Sequence, residues 1–259
     1  MGLIRLPVSE RDVVVRQPTG EEDVLLLEAT AYDIHLALAL VARLARPADG
    51  SQPDWETLSV TDLDALLLRI RQAVLGDRIR TDLFCQEPGC GARFDISFRI
   101  GDYLDHHRPR RPRGVEPADA PGYYRFRDAP VLFRLPTGQD LAEISRQRRK
   151  EQTLIQRCVP VAELSGRMRR RIETALEALA PSLCHNLDAQ CPECGATVAI
   201  HFDPQRFCLL ELRYHAVFLY ETVHTLARCY HWSEAEILAL PRARRIYYAE
   251  LARQERSLA

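Results

Sequence analysis

Four cysteines carry the clearest chemistry in this chain. Cys85-Gln-Glu-Pro-Gly-Cys90-Gly and Cys191-Pro-Glu-Cys194-Gly each put two thiols around a tight turn followed by glycine. That spacing suits a zinc knuckle, which presents two sulfurs to a tetrahedral ion at about 2.3 Å. One knuckle is half a site. Two together complete a structural Zn2+ site, one ion per chain, with Cys85, Cys90, Cys191 and Cys194 as ligands. Four thiolates leave no open position for water or substrate, so such a site stabilises and does not catalyse. Two other arrangements use nearby residues. Cys184 and His185 could join Cys191 and Cys194, and His106 and His107 could join Cys85 and Cys90, giving two ions per chain. Reduced pairs without metal are a third reading. Cys158, Cys184, Cys208 and Cys229 lie in or beside apolar helical patterns and read as small buried hydrophobes.

No second constellation competes. The chain lacks G-x-S-x-G, H-E-x-x-H and G-x-x-x-x-G-K-[ST], the signatures of an esterase nucleophile, a metalloprotease and a phosphate loop. His201, His215, His224 and His231 fall in strand or helix patterns and read as structural. Asp62 and Asp64 stand near a helix start, where the dipole favours them. The expectation is a protein that is not an enzyme.

The elements that must bring the knuckles together show self-similarity. V-x-x-R-x-P-T-G occurs at 13–20 and again at 131–138, and C-G-A followed by alternating apolar residues occurs at 90–98 and 194–202. Leu58-Ser59 and Leu164-Ser165 precede helical patterns that lead to Cys85 and Cys191. Such echoes in one order indicate an internal duplication. Each copy reads as strand, Pro-Thr-Gly turn, acidic helix start, second helix, knuckle and strand. Leu63, Leu66, Leu67, Ile70 and Val74 share a helix face, as do Met168, Ile172, Ala175, Leu176 and Leu179. Ser59 or Thr61 can cap the first of these helices, Gly76 stops it, and Pro181 ends the second.

The expected fold is α+β: a duplicated strand–helix–helix–knuckle–strand unit forming a pseudo-twofold four-cysteine zinc ribbon, with a helical tail. The divisions are 1–105, a Pro/Arg-rich linker 106–122, 123–205, and 206–259. In the tail, 208–232 reads as one long buried helix. Ser233 and Glu236 form a capping box at the start of a short helix, which Pro241 interrupts, and 242–252 reads as a last helix with Ile246, Tyr247 and Leu251 inward and arginines outward.

Composition narrows the function classes. The 259 residues are 46% hydrophobic, enough for a substantial core. Thirty-five basic against 36 acidic side chains leave a net charge of −1, and only 7% of residues are aromatic. That balance argues against a general nucleic-acid coat. The most apolar run, 36–45, is too short to span a bilayer and carries Arg43, and the first residues lack a secretory pattern. A cytoplasmic protein without membrane contact is expected.

One family fits this arrangement. V-x-V-R-x-x-T-x-E-E-D-x-L-L at 13–26, D-x-L-L-L-R-I-R at 64–71, the R-L-P-T-G segment at 134–138 and the two knuckles together resemble the T4-family baseplate protein, also called the baseplate hub assembly chaperone. It belongs to contractile phage tails and phage-tail-like contractile injection systems. The tail segment 230–241 is similar to an H-W-x-x-x-E-I-x-x-L motif of small tail-assembly proteins. The resemblance implies a partner in baseplate hub, spike or tape-measure proteins, met in the bacterial or host cytoplasm, with the chain released or retained in the particle. Trp232, Ile237, Leu238 and Tyr247 are the expected docking residues, with packing inside the chain as the other reading for Trp232. The C-x4-C first knuckle and the Arg-Pro linker depart from the family pattern. The rival function is a zinc-ribbon nucleic-acid-binding protein.

Overall fold

A computed structural model describes residues 2–258 apart from 121, 146, 148, 149 and 161–163. Helices and small antiparallel sheets alternate along the chain. Strands β1 (Gly2–Arg5) and β2 (Asp12–Val15) lead into helices α1 (Gly20–Glu28) and α2 (Ile34–Leu44), and β3 (Ala45–Pro47) closes a sheet of order β1-β2-β3. Helix α3 (Val60–Leu75) precedes the hairpin β4 (Arg78–Phe84) and β5 (Arg93–Arg99), then α4 (Ile100–His106). A second sheet holds β6 (Val115–Pro117), β7 (Tyr123–Phe126) and β8 (Ala129–Arg134). It runs into α5 (Gly138–Ile144), α6 (Lys150–Cys158) and α7 (Gly166–Leu179). Next come the hairpin β9 (His185–Gln190) and β10 (Thr197–Phe202), then α8 (Pro204–Tyr214), α9 (Leu219–Tyr230), α10 (Glu234–Ala239) and α11 (Arg242–Leu258). Among the described residues no helix is long and apolar enough to cross a membrane.

The repeated V-x-x-R-x-P-T-G segment folds in the same way twice. In the first, Thr19 caps α1, and Glu22 reaches back to accept the Thr19 backbone N–H at 2.8 Å. Arg16 then grips the Glu22 carboxylate at 2.7 and 3.1 Å. In the second, Thr137 caps α5, Asp140 accepts its N–H at 2.9 Å, and Arg134 grips Asp140 at 2.6 and 2.8 Å. Both acids are buried. Burial alone would hold their protons on; the guanidinium and capping N–H groups outweigh it and keep both carboxyls below their ordinary range. Arginine is thus part of each helix start.

Each Pro-Thr-Gly turn docks against the start of a distant helix. Thr137 pairs with Ser59, with Gly138 N–H donating to Leu58 O and Val60 N–H to Pro136 O, both at 3.0 Å. Thr19 pairs with Pro241, just before α11. The contacts differ in tightness. A Cβ on Gly20 would lie 2.8 Å from the Leu238 Cα, whereas one on Gly138 would meet nothing nearer than 3.4 Å.

The main core is built on α2 and α3. Leu63, Leu66, Leu67 and Ile70 are fully buried, and Ser59 caps α3 through the Asp62 N–H at 3.1 Å. Gly76, at φ +88°, lies just past its last turn. Leu183, Phe202, Cys208, Leu209 and Leu212 join this core from the far side of the chain, so the second hairpin and α8 pack on the first half. The second sheet and α7 keep a separate core around Phe126, Phe133 and Ile172. Arg71 of α3 binds Glu211 of α8 through two 2.8 Å bonds. Asp62 does more than face the α3 dipole: it accepts the Val8 and Ser9 N–H groups at 2.8 and 2.9 Å.

The tail departs from one expectation. Instead of one helix over 208–232, α8 and α9 are separated by a turn at 215–218. No glycine or proline marks the break. It lets α8 lie on α3 while α9 packs against α11. Within the expected linker, α4 extends to His106, β6 forms, and Arg110 N–H donates to Ala178 O at 2.6 Å.

Two outcomes are expected from this packing. Gly20→Ala should cost about 1–3 kcal/mol in chemical denaturation, the range for overpacking, while Gly138→Ala should cost less than about 1 kcal/mol by the same measure, since ordinary contacts accept the methyl group. Asp64, fully buried on α3 beside α8, accepts one bond from Gln205 at 2.7 Å, and burial pushes its carboxyl up to about 7. The folded state therefore holds a proton that the unfolded chain releases near about pH 4, and stability falls as pH rises from there to about 7. Asp64→Asn should remove that slope. Its melting temperature at pH 8 should exceed that of the parent by roughly 5 °C or more, with a smaller difference at pH 5.

Candidate metal centre

Both knuckles are the turns of two-stranded hairpins, which fixes where their sulfurs point. In the first, Phe84 pairs with Arg93 at the end of the ladder, Cys85 N–H donates to Ala92 O at 2.9 Å, and Cys90 N–H to Glu87 O at 3.1 Å. In the second, Gln190 pairs with Thr197, and Cys191 N–H donates to Ala196 O at 2.9 Å. The glycine after each second cysteine is left-handed, Gly91 at φ +59° and Gly195 at φ +73°. A side chain there would strain the turn.

The hairpins meet at both ends. At their bases Phe98 and Phe202 make an edge-to-face contact at 5.3 Å, and Tyr103 of α4 packs on both. The Tyr103 hydroxyl donates to Leu183 O at 2.7 Å, which ties α4 to the start of the second hairpin. At their tips the four sulfurs converge. Cys85 Sγ lies 3.6 Å from Cys194 Sγ, Cys90 Sγ lies 3.8 Å from Cys191 Sγ, and all four are within 4.8 Å of one another. A tetrahedron with metal–sulfur bonds of about 2.3 Å has edges of about 3.8 Å. The cage fits a tetrahedral ion. The close pairs join one hairpin to the other, so an ion here clasps segments 101 and 109 residues apart.

The electrostatics of the sulfur cage point the same way. Cys191 sits among backbone N–H groups, that of Cys194 foremost and that of Glu193 with it, and its thiol is brought down to about 7. For Cys85 the Glu87 N–H pulls downward, but desolvation and the three neighbouring sulfurs outweigh it and push the thiol up to about 12. Cys90 is raised as well, the Ala92 N–H losing to the sulfurs and to desolvation. The Cys191 thiolate forms readily; those of Cys85 and Cys90 need a cation to offset the repulsion between sulfurs.

The alternative ligand pairs lie elsewhere. Among the described residues, the four cysteines are the only group of three or more metal-ligating side chains near enough to share an ion. Cys184 Sγ is 3.4 Å from His201 Nε2, whose other ring nitrogen faces Asn186 Oδ1. His185 stacks on His107 at 4.8 Å, and His107 Nδ1 faces Tyr103 O at 2.9 Å. Cys158 and Cys208 are buried, as expected, whereas Cys184 and Cys229 are half-buried.

The four residues expected to dock a partner have different surroundings. Ile237 is fully buried against Leu226 and Ala249. Trp232 stacks on Tyr230 at 5.0 Å and meets Tyr248 edge-on at 5.4 Å, which is packing inside the chain. Leu238 backs onto Gly20. Tyr247 is 59% exposed. Elsewhere in the tail the structure corrects the sequence pattern: Tyr214, Val217, Phe218 and Tyr220, within the stretch expected to be one buried helix, are exposed, and so is Ile246, expected to face inward. Phe218 and Ile246 line a cleft of about 350 Å³ with Asp23, Arg242 and Arg245. In its wall both arginines bind the single buried carboxylate of Asp23.

Comparison of the chain with protein-family profiles, curated proteins and solved structures finds no match.

A tetrahedral thiolate site closing two distant hairpins should contribute heavily to folding. Cys191→Ser should lower bound metal at least tenfold and the melting temperature by about 10 °C or more, and a chelator should do the same to the parent chain. Cys229→Ser, outside the cage, should leave metal content unchanged. Metal analysis and thermal denaturation check both.

Proposed function

We propose that this chain is a non-enzymatic assembly or structural protein of a contractile phage tail or phage-tail-like injection system, acting in baseplate or hub assembly. The observation that carries the reading is the sulfur cage itself: four cysteines from two distant hairpins converge, and as thiolates they would fill all four positions of a tetrahedral ion. The ion that suits it is Zn2+, as a structural clasp. Such a clasp serves a rigid body that other proteins are built upon. The baseplate assignment rests on the resemblance carried by residues 13–26, 64–71, 134–138 and the knuckles.

The duplicated-unit reading has local support. The Arg16–Glu22–Thr19 and Arg134–Asp140–Thr137 helix starts use the same bonds, and Phe98 and Phe202 stand at matching places in their strands. In this reading the ion lies on the pseudo-twofold between the two copies.

The docking surface is the exposed apolar group of the tail, with Tyr247, Phe218 and Ile246 as its anchors. Its partner is a hub, spike or tape-measure protein. Single apolar side chains left in water are ordinary, but a group of large ones marks a surface that another protein covers. In a pull-down with purified hub and spike subunits, the parent chain should retain one of them. The variant Phe218→Ala/Tyr247→Ala should lose at least tenfold in affinity while its melting temperature stays unchanged. Undiminished capture by the variant, or no capture by the parent, would contradict the assignment. The nucleic-acid reading has one observation in its favour, an arginine-lined groove away from this surface.

A further inference from the structure

Helix α7 has two faces. Ile172 and Ala175 turn into the second core, with Met168 and Leu176 packed beside them. The opposite stripe, Arg167, Arg170, Arg171 and Thr174, has the i, i+3, i+4, i+7 spacing of one helix face. These four residues line a groove of about 380 Å³, and Arg113 of the Arg-Pro segment lines it from across.

Among the described residues, the charge in this groove is only partly neutralised. No carboxylate among the described residues lines it. Arg171 pairs with Asp128 at 2.8 Å and lies over the Phe126 ring at 4.4 Å. The guanidinium groups of Arg113, Arg167 and Arg170 make no hydrogen bond or ion pair among the described residues, although Asp128 feels Arg167 at longer range. The arginines at element junctions, by contrast, are matched to acids, as at Arg16, Arg71, Arg134 and Arg245. A net charge of −1 over the whole chain therefore hides a local excess of positive charge.

We propose that this groove binds the phosphodiester backbone of nucleic acid, without reading sequence. Planar guanidinium forks suit phosphate oxygens, and several on one helix face can follow a charged strand. An acidic protein is the weaker fit. Protein interfaces rest on exposed apolar anchors, and the large exposed hydrophobics all lie outside this groove. Its one ring, Phe126, is buried, so no platform exists for stacking unpaired bases.

The test uses the full chain and a fluorescent mixed-sequence duplex of about 20 base pairs, read by anisotropy across a salt series. Three or four phosphate contacts predict a slope of log affinity against log salt of about −3. Arg167→Ala/Arg170→Ala should weaken binding at least tenfold at about 50 mM salt and reduce that slope by about 2. Both residues are exposed, so the melting temperature should not move, and capture of hub or spike subunits should be unaffected. The proposal is overturned by any of three results: no binding at low salt, an unchanged slope in the variant, or tighter binding of a single strand of equal length. Competition by poly-glutamate at equal charge concentration would equally overturn it, in favour of an acidic protein partner.

Discussion

The structure depends on one junction: two β-hairpins, from opposite halves of the chain, that meet at their bases and bring four sulfurs together at their tips. Hairpins of this kind are marginal alone. Here each borrows stability from the other, through Phe98, Phe202 and Tyr103 at the base, and an ion in the sulfur cage would add to this at the tip. Loop-closure entropy grows only slowly with length, so clasping segments about a hundred residues apart costs little more than clasping near ones. The gain would be large, because the second hairpin runs directly into α8, which packs on α3 and leads into the tail.

A second constraint runs through the buried charges. Arg16, Arg71, Arg134 and Arg245 each hold a carboxylate at an element junction. Breaking such a pair strands a charge away from water, which costs several kcal/mol. The bonds are directional, so they favour one packing of helices over neighbouring ones. The Asp23 carboxylate, shared by Arg242 and Arg245, ties α11 to α1 in this way.

Much of this is legible in the residues because it is local. Cysteine spacing locates both knuckles. Ser59, Ser165 and the Ser233–Glu236 box stand at the helix starts that their patterns mark. The apolar stripe of α3 is buried as its spacing requires. Legibility ends where distant segments decide. Nothing near 215–218 signals a break; the break exists because α8 and α9 have different partners. Ile237 reads as an available anchor until α9 and α11 are seen to cover it. The arginine stripe of α7 is visible at helical spacing, but that Arg167 and Arg170 have no acidic partner among the described residues emerges only in the folded chain. The division into halves is blurred for the same reason: Leu183, Phe202 and Leu209 pack with the first half.

The most direct test of the clasp is X-ray absorption at the zinc edge on the purified, reduced chain, with metal counted in the same sample. A sulfur-clasped fold predicts one zinc per chain in a shell of four sulfurs at about 2.3 Å. A first shell containing nitrogen or oxygen, a count of two ions, or a folded chain that binds no metal would contradict it.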